Sequence, residues 1–121
     1  MSRYLNEEQL KTNLSLGKVV EQWLGSKKEE DYVTLRWLSI EKERNGNYTV
    51  AFIECFDDRN SEFTDIYEFS SLDPDEPEGV LNTFVTADDA LNFATSNYSA
   101  SNSKYVSLGM IQEEYKKYLK S

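Results

Sequence analysis

Histidine is absent from this chain of 121 residues, and cysteine occurs once, at Cys55. Without histidine, the usual Ser-His-Asp and Cys-His nucleophilic arrangements cannot form, and the commonest general base is missing. One cysteine leaves too few ligands for a structural zinc site and excludes an intrachain disulfide framework. We therefore expect no cofactor and no metal site, and we predict that the protein is not an enzyme.

Long apolar runs are also absent. No run approaches the roughly 18 residues of a transmembrane helix. The N-terminus is polar with early acidic residues, unlike a signal peptide. Neither a G-x-G-x-x-G motif nor a phosphate-binding P-loop motif occurs. With 13% aromatic residues the chain is not wholly disordered, and its length favours one globular domain over residues 1–121. We expect a cytoplasmic location.

Negative charge is what the chain has in excess, and the excess is local. The formal net charge is −9. Residues 54–78 hold ten acids against the single base Arg59, which accounts for the whole excess, because twelve acids and twelve bases balance in the rest. An acidic protein repels phosphate backbones and anionic membranes, so we expect neither nucleic acid nor membrane as a partner. Basic proteins, cations and neutral partners remain.

The first part of the chain carries signals that are typical of a helix. Asn6 is a predicted N-cap, and Gln9 completes a capping box. Apolar residues near the helical period predict a helix from there to Gly25, interrupted at Gly17.

Strand signals follow, with alternating apolar residues and an Asn45-Gly46 turn that is typical of a hairpin. Because the second strand is apolar on both faces, we place it centrally in the sheet, a pattern that also allows a homo-oligomer. The predicted strands cover residues 32–44, 48–56, 62–72 and 80–85.

Two further helices are predicted at the C-terminal end. Thr86 caps the first, residues 96–103 form a loop, and the second covers residues 107–119. The order α-β-β-β-β-α-α is typical of an α+β domain. We predict an antiparallel sheet of about four strands, with the N-terminal helix and two C-terminal helices packed on one face.

The acidic region alternates carboxylates with aromatic residues. Aromatic anchors supply affinity in protein interfaces, and charges steer association. The alternative interpretation is that the aromatics face the core and the acids keep an edge strand from pairing. The candidate partner-binding residues are Asp57, Asp58, Glu62, Asp65, Tyr67, Glu68, Asp73, Asp75 and Glu76.

Three other features carry weaker signals. Residues from Asp73 onward begin like a calcium loop, but Glu78 stands at the sixth position, where glycine is needed. Cys55 lies among apolar and acidic neighbours that raise a thiol pKa, so we expect a buried hydrophobe rather than a nucleophile. Four aromatic residues either line a pocket between the terminal helices or pack in the core: Trp23, Tyr105, Tyr115 and Tyr118.

These patterns favour a non-enzymatic protein-binding module that uses residues 54–78, such as an adaptor, regulator or inhibitor of a basic protein. The alternative is a small-molecule or weak cation-binding domain with a pocket between the sheet and the terminal helices.

Overall fold

The computed structural model describes residues 3–58, 65–72, 75 and 79–120. Within these residues no helix is long and apolar enough to cross a membrane. The elements in chain order are α1 (Glu7–Ser15), β1 (Val20–Lys28), β2 (Val33–Lys42), β3 (Tyr48–Phe56), a short 3-10 helix (Ile66–Glu68), β4 (Val80–Phe84), α2 (Ala87–Tyr98), β5 (Val106–Ser107) and α3 (Ile111–Leu119).

The described strands form one antiparallel sheet in the order β4-β3-β2-β1-β5. β2 and β3 are the predicted hairpin, paired without a break from Thr34↔Phe56 to Lys42↔Tyr48. Gly46 takes the positive φ of +90° that this turn requires. The α+β class is confirmed, and β3 lies inside the sheet as predicted.

The two predicted N-caps are confirmed, whereas the last helix begins at Ile111 and not at residue 107, which lies in β5. Asn6 and Gln9 form a reciprocal capping box at α1, in which the Asn6 Oδ1 accepts from the Gln9 amide at 2.8 Å. The Thr86 hydroxyl oxygen accepts from the Asp89 amide at 3.1 Å and begins α2. These caps satisfy backbone N–H groups that have no partner inside the helix.

β1 was predicted as the second half of the first helix, and that prediction is wrong. α1 ends at Ser15, and Gly17 turns the chain with a φ of +81°. β1 then pairs with β2, and a bulge at Leu24 interrupts the register. Strand alternation places Leu24 on the side of the sheet that holds Val20, because residues four apart in a strand lie on one face. Residues four apart also share one face of a helix, so this apolar pair fits both structures.

The strand predicted over residues 62–72 is also wrong where the structure describes it. Asp65 caps the 3-10 helix by accepting from the Tyr67 amide at 3.1 Å. Only Ser71 of the described part bridges to the sheet, opposite Cys55. Such local bonds from an aspartate to the backbone compete with strand pairing.

Helices cover both faces of the sheet, not one as predicted. Alternation along β2 places Leu38 and Ile40 toward α1 and α2, in the first core. It places Leu35 and Trp37 toward the 3-10 helix and α3, in the second core. The main face contacts join α1 to β2, α2 to β3 and α3 to β1.

Candidate functional site

The predicted partner-binding residues divide into three groups in the structure. Glu62, Asp73 and Glu76 lie outside the described residues. Asp57 and Tyr67 take part in contacts that hold the fold together, as shown below. The remaining carboxylates are solvent-exposed: Asp58, Asp65, Glu68 and Asp75.

Asp57 and Asp58 fix the chain where it leaves β3. The Tyr115 hydroxyl of α3 donates to Asp57 Oδ1 at 2.5 Å. The Ser70 amide donates to Asp58 Oδ2 at 2.7 Å. Both bonds join segments distant in sequence, so these two acids have a structural role even though Asp58 is exposed.

Glu21 links three elements on the second core's side of the sheet. Its side chain is 1% exposed. Its Oε1 accepts from the Tyr67 hydroxyl at 2.9 Å and from the Gly109 amide at 2.8 Å. One carboxyl oxygen of β1 thus holds both the 3-10 helix and the turn before α3 in place.

The environment of this carboxyl is electrostatically unusual. Burial raises the pKa of Glu21 above its ordinary value, and hydrogen bonds from Tyr67 and from the Gly109 and Ile111 amides oppose that rise. Burial, together with the adjacent Glu21 charge, raises the pKa of Tyr67, so the phenol stays a donor. The sequence analysis missed Glu21 because it assigned the residue to a helix, and no apolar–polar alternation marks a strand at Val20–Trp23, where two polar residues lie between two apolar ones.

The protein surface next to these hydrogen bonds of Glu21 carries both apolar and acidic side chains. The Tyr67 side chain is 41% exposed and that of Leu108 is 62% exposed. The two residues lie near each other, because Tyr67 and Gly109 donate to the same oxygen of Glu21. Asp65 and Glu68 flank Tyr67 in the same short helix. We call Asp65, Tyr67, Glu68 and Leu108 the Tyr67 surface.

Two other aromatics of the acidic region lie within the described residues, Phe56 and Phe69. Phe69 is buried against Tyr115, with ring centroids 5.5 Å apart. Phe56 is half-buried against Tyr32. The interpretation that the aromatics face the core is confirmed for Phe69, which belongs to the second core, whereas Phe56 packs on the exposed Tyr32 outside both cores.

Three of the four aromatics predicted as a pocket or core pack together, and the fourth, Tyr105, lies apart. Trp23 packs on Tyr118 and Tyr115, with centroids 5.5 and 6.3 Å apart. Tyr105 lies in the first core, on the other side of the sheet, and is fully buried. Its hydroxyl has no hydrogen-bond partner among the described residues.

A groove of about 240 Å³ remains beside this aromatic cluster, where the N-terminal segment meets α3. Glu114, only 7% exposed, accepts from the Tyr4 hydroxyl at 3.1 Å and pairs with the Arg3 guanidinium at 3.0 Å. The polar groups of the groove therefore bind one another.

Cys55 is buried, as predicted. Burial and the charges of Asp58 and Asp57 raise the pKa of its thiol to about 12. A thiol in this environment is a poor nucleophile. Across the described ranges, no three Cys, Asp or Glu side chains converge into a set that could hold a metal ion.

Comparison with known proteins gives no relative. The chain matches no protein-family model, no curated protein and no solved structure.

Proposed function

We propose that this protein is a non-enzymatic module that binds a basic protein through the Tyr67 surface. The observation that carries the proposal is the half-exposed Tyr67, fixed by its hydrogen bond to Glu21, with the exposed Leu108 nearby and two acids alongside. Aromatic and apolar anchors supply most of the affinity in protein interfaces. Surrounding charges of one sign accelerate association with a partner of opposite sign and select against others.

Preorganisation of the anchor supports the same proposal. The Tyr67 hydroxyl donates to Glu21, and its ring meets the Trp37 ring edge-on at a centroid distance of 5.5 Å. Asp65 holds the Tyr67 backbone. A side chain fixed in this way loses little conformational entropy on binding, which favours affinity.

The electrostatic part is tested by neutralising charges while keeping hydrogen-bond acceptors. The variant D58N/D65N/E68Q removes three charges, and its asparagines can still accept from the backbone. The control E8Q/E41Q/E43Q removes three charges from exposed positions elsewhere. Each tagged protein is used to capture lysate proteins at low and high salt, with quantification by mass spectrometry.

We expect the parent and the control to retain the same basic protein at low salt, and the D58N/D65N/E68Q variant to lose it. Direct titration of that purified protein should then show binding that weakens with salt. Equal retention by the two triple variants, or no basic protein retained by the parent, would overturn the proposal.

The apolar part is tested by a matched pair of leucine substitutions. Leu108→Ser alters the proposed surface, whereas Leu16→Ser alters a residue of similar exposure at the end of α1, 62% against 66%. We expect Leu108→Ser to weaken binding about tenfold and Leu16→Ser to leave it unchanged. Thermal unfolding of both variants confirms that folding is retained.

A further inference from the structure

A cavity of about 400 Å³ lies on the α1–α2 side of the sheet, the side opposite the Tyr67 surface. β1, β2 and β3 supply its floor, and the end of α2 with the following loop supplies its wall. This volume is within the range of small-molecule sites. The residues that line it are Gln22, Trp23, Leu24, Arg36, Phe52, Asn97, Tyr98, Ser99, Ser101 and Lys104.

Two sets of contacts hold the wall against the floor. Gln22, 3% exposed, donates through Nε2 to the Ser101 carbonyl at 2.8 Å and accepts from the Ser101 amide at 2.8 Å. The Tyr98 ring stacks on the Phe52 ring, with centroids 4.3 Å apart and 6° between the planes. The shape of the cavity is therefore largely set by the fold before any ligand binds.

Arg36 is the distinctive group in this cavity. Its Nε is buried and donates to no residue that the structure describes. Its neighbours across the sheet are Gly25, which has no side chain, and Glu54. The described contacts include no ion pair between Arg36 and Glu54, although the two residues face each other.

An unpartnered buried donor is costly, because the group loses water without gaining a hydrogen bond. Guanidinium groups recognise carboxylates and phosphates through two parallel N–H···O bonds. Lys104 is exposed at the rim, and its ammonium lies over the Tyr4 ring, 5.0 Å from the centroid, so Arg36 is the cation that the cavity itself offers. Phe52 and Leu24 offer apolar contact, and Ser99 and Ser101 offer polar contact, to the rest of a small molecule.

We propose that this cavity binds a small organic oxyanion, a carboxylate or a phosphate, through the Arg36 guanidinium. The site is independent of the Tyr67 surface, and each can fail without the other. Local positive charge in a protein of net charge −9 makes this cavity a selective place for an anion.

The test follows the Arg36 Nε–H signal and the Ser99 and Ser101 amide signals of the ¹⁵N-labelled protein by NMR. The probes are sodium benzoate and ribose 5-phosphate, each added up to about 10 mM, well above a Kd of about 1 mM. Benzamide, which has the shape of benzoate without its charge, is the control ligand.

We expect benzoate or ribose 5-phosphate to shift all three signals saturably, and benzamide to shift none. A response to benzoate assigns a carboxylate ligand, and a response to ribose 5-phosphate assigns a phosphate ligand. Because this part uses the unaltered protein, it does not depend on how any variant folds. The proposal is overturned if neither organic anion shifts the Arg36 signal, or if benzamide shifts it equally.

Matched arginine substitutions complete the test. Arg36→Gln should weaken the binding of the responding anion at least about tenfold, as expected for losing a charged hydrogen-bond donor. Arg44→Gln removes the same charge from an exposed position eight residues further along the chain and should leave binding unchanged. Equal weakening by both variants would mean that net charge alone attracts the anion, and would overturn the assigned site.

Discussion

A double-mutant cycle can measure the free energy contributed by the hydrogen bond between Tyr67 and Glu21. Tyr67→Phe removes the hydroxyl but keeps the ring and its edge-on contact with Trp37. Glu21 is 1% exposed, so water cannot readily replace the lost donor. A hydrogen bond to a charged group contributes about 1.5–3 kcal/mol. Since the Tyr67 side chain is 41% exposed, we expect the lower end, about 1.5 kcal/mol.

Glu21→Ala should lower the free energy of unfolding by more, about 2–3 kcal/mol, because it also leaves the Gly109 amide without its acceptor. In the Glu21→Ala variant, Tyr67→Phe should change the free energy of unfolding little, since the partly exposed Tyr67 hydroxyl can bind water there instead of Glu21. The double variant should therefore be more stable than the sum of the single losses predicts, by about 1.5 kcal/mol.

Urea unfolding of the four proteins at about pH 7 gives the free energies by linear extrapolation. A second cycle that pairs Tyr67→Phe with Leu91→Ala, on the other face of the sheet, should be additive within about 0.5 kcal/mol. If the cycle of Tyr67 and Glu21 is equally additive, the two side chains do not interact as described, and the anchor of the Tyr67 surface is not fixed by β1.

Two further predictions concern buried polar groups. Because burial raises the folded-state pKa of Glu21 above 4.5, the unfolded chain releases this proton first. The free energy of unfolding should therefore fall as pH rises from about 4.5 to the raised pKa, and the Glu21→Gln variant should not show this fall. Urea unfolding of both proteins at several pH values measures the difference in their stability. A difference that does not change with pH would contradict the prediction. Tyr105→Phe removes a buried hydroxyl that has no described partner, so it should raise the free energy of unfolding by about 1 kcal/mol. A loss of stability in thermal or urea unfolding would show that this hydroxyl is bonded.

The sequence was sufficient where local chemistry decides the structure. The capping box at Asn6, the Thr86 cap and the Asn45-Gly46 turn each act over a few residues, and each is present in the structure. β1 was missed because Val20 and Leu24 are four residues apart, a spacing that places two side chains on one face of a strand as well as of a helix. Residues 65–72 were misjudged because Asp65, one acid among many, caps a turn of 3-10 helix.

The candidate sites depend on contacts between residues far apart in the chain. Tyr67 was predicted as a binding residue, but nothing local indicates that its hydroxyl meets a carboxyl 46 residues earlier in β1. Leu108 belongs to the same surface because Gly109 reaches that carboxyl across 88 residues. Arg36 reads as an ordinary outward-facing strand residue until the end of α2 is placed beside it.

The Arg3, Tyr4 and Glu114 contacts join segments more than one hundred residues apart. Because α3 and the turn before it complete the second core, Glu21 and Trp23 stay uncovered during synthesis until residues 107–119 have been made. The Tyr67 surface has the same requirement, since Leu108 and Gly109 belong to that later segment. A partner that recognises this surface would therefore bind only chains in which that segment has already packed against β1.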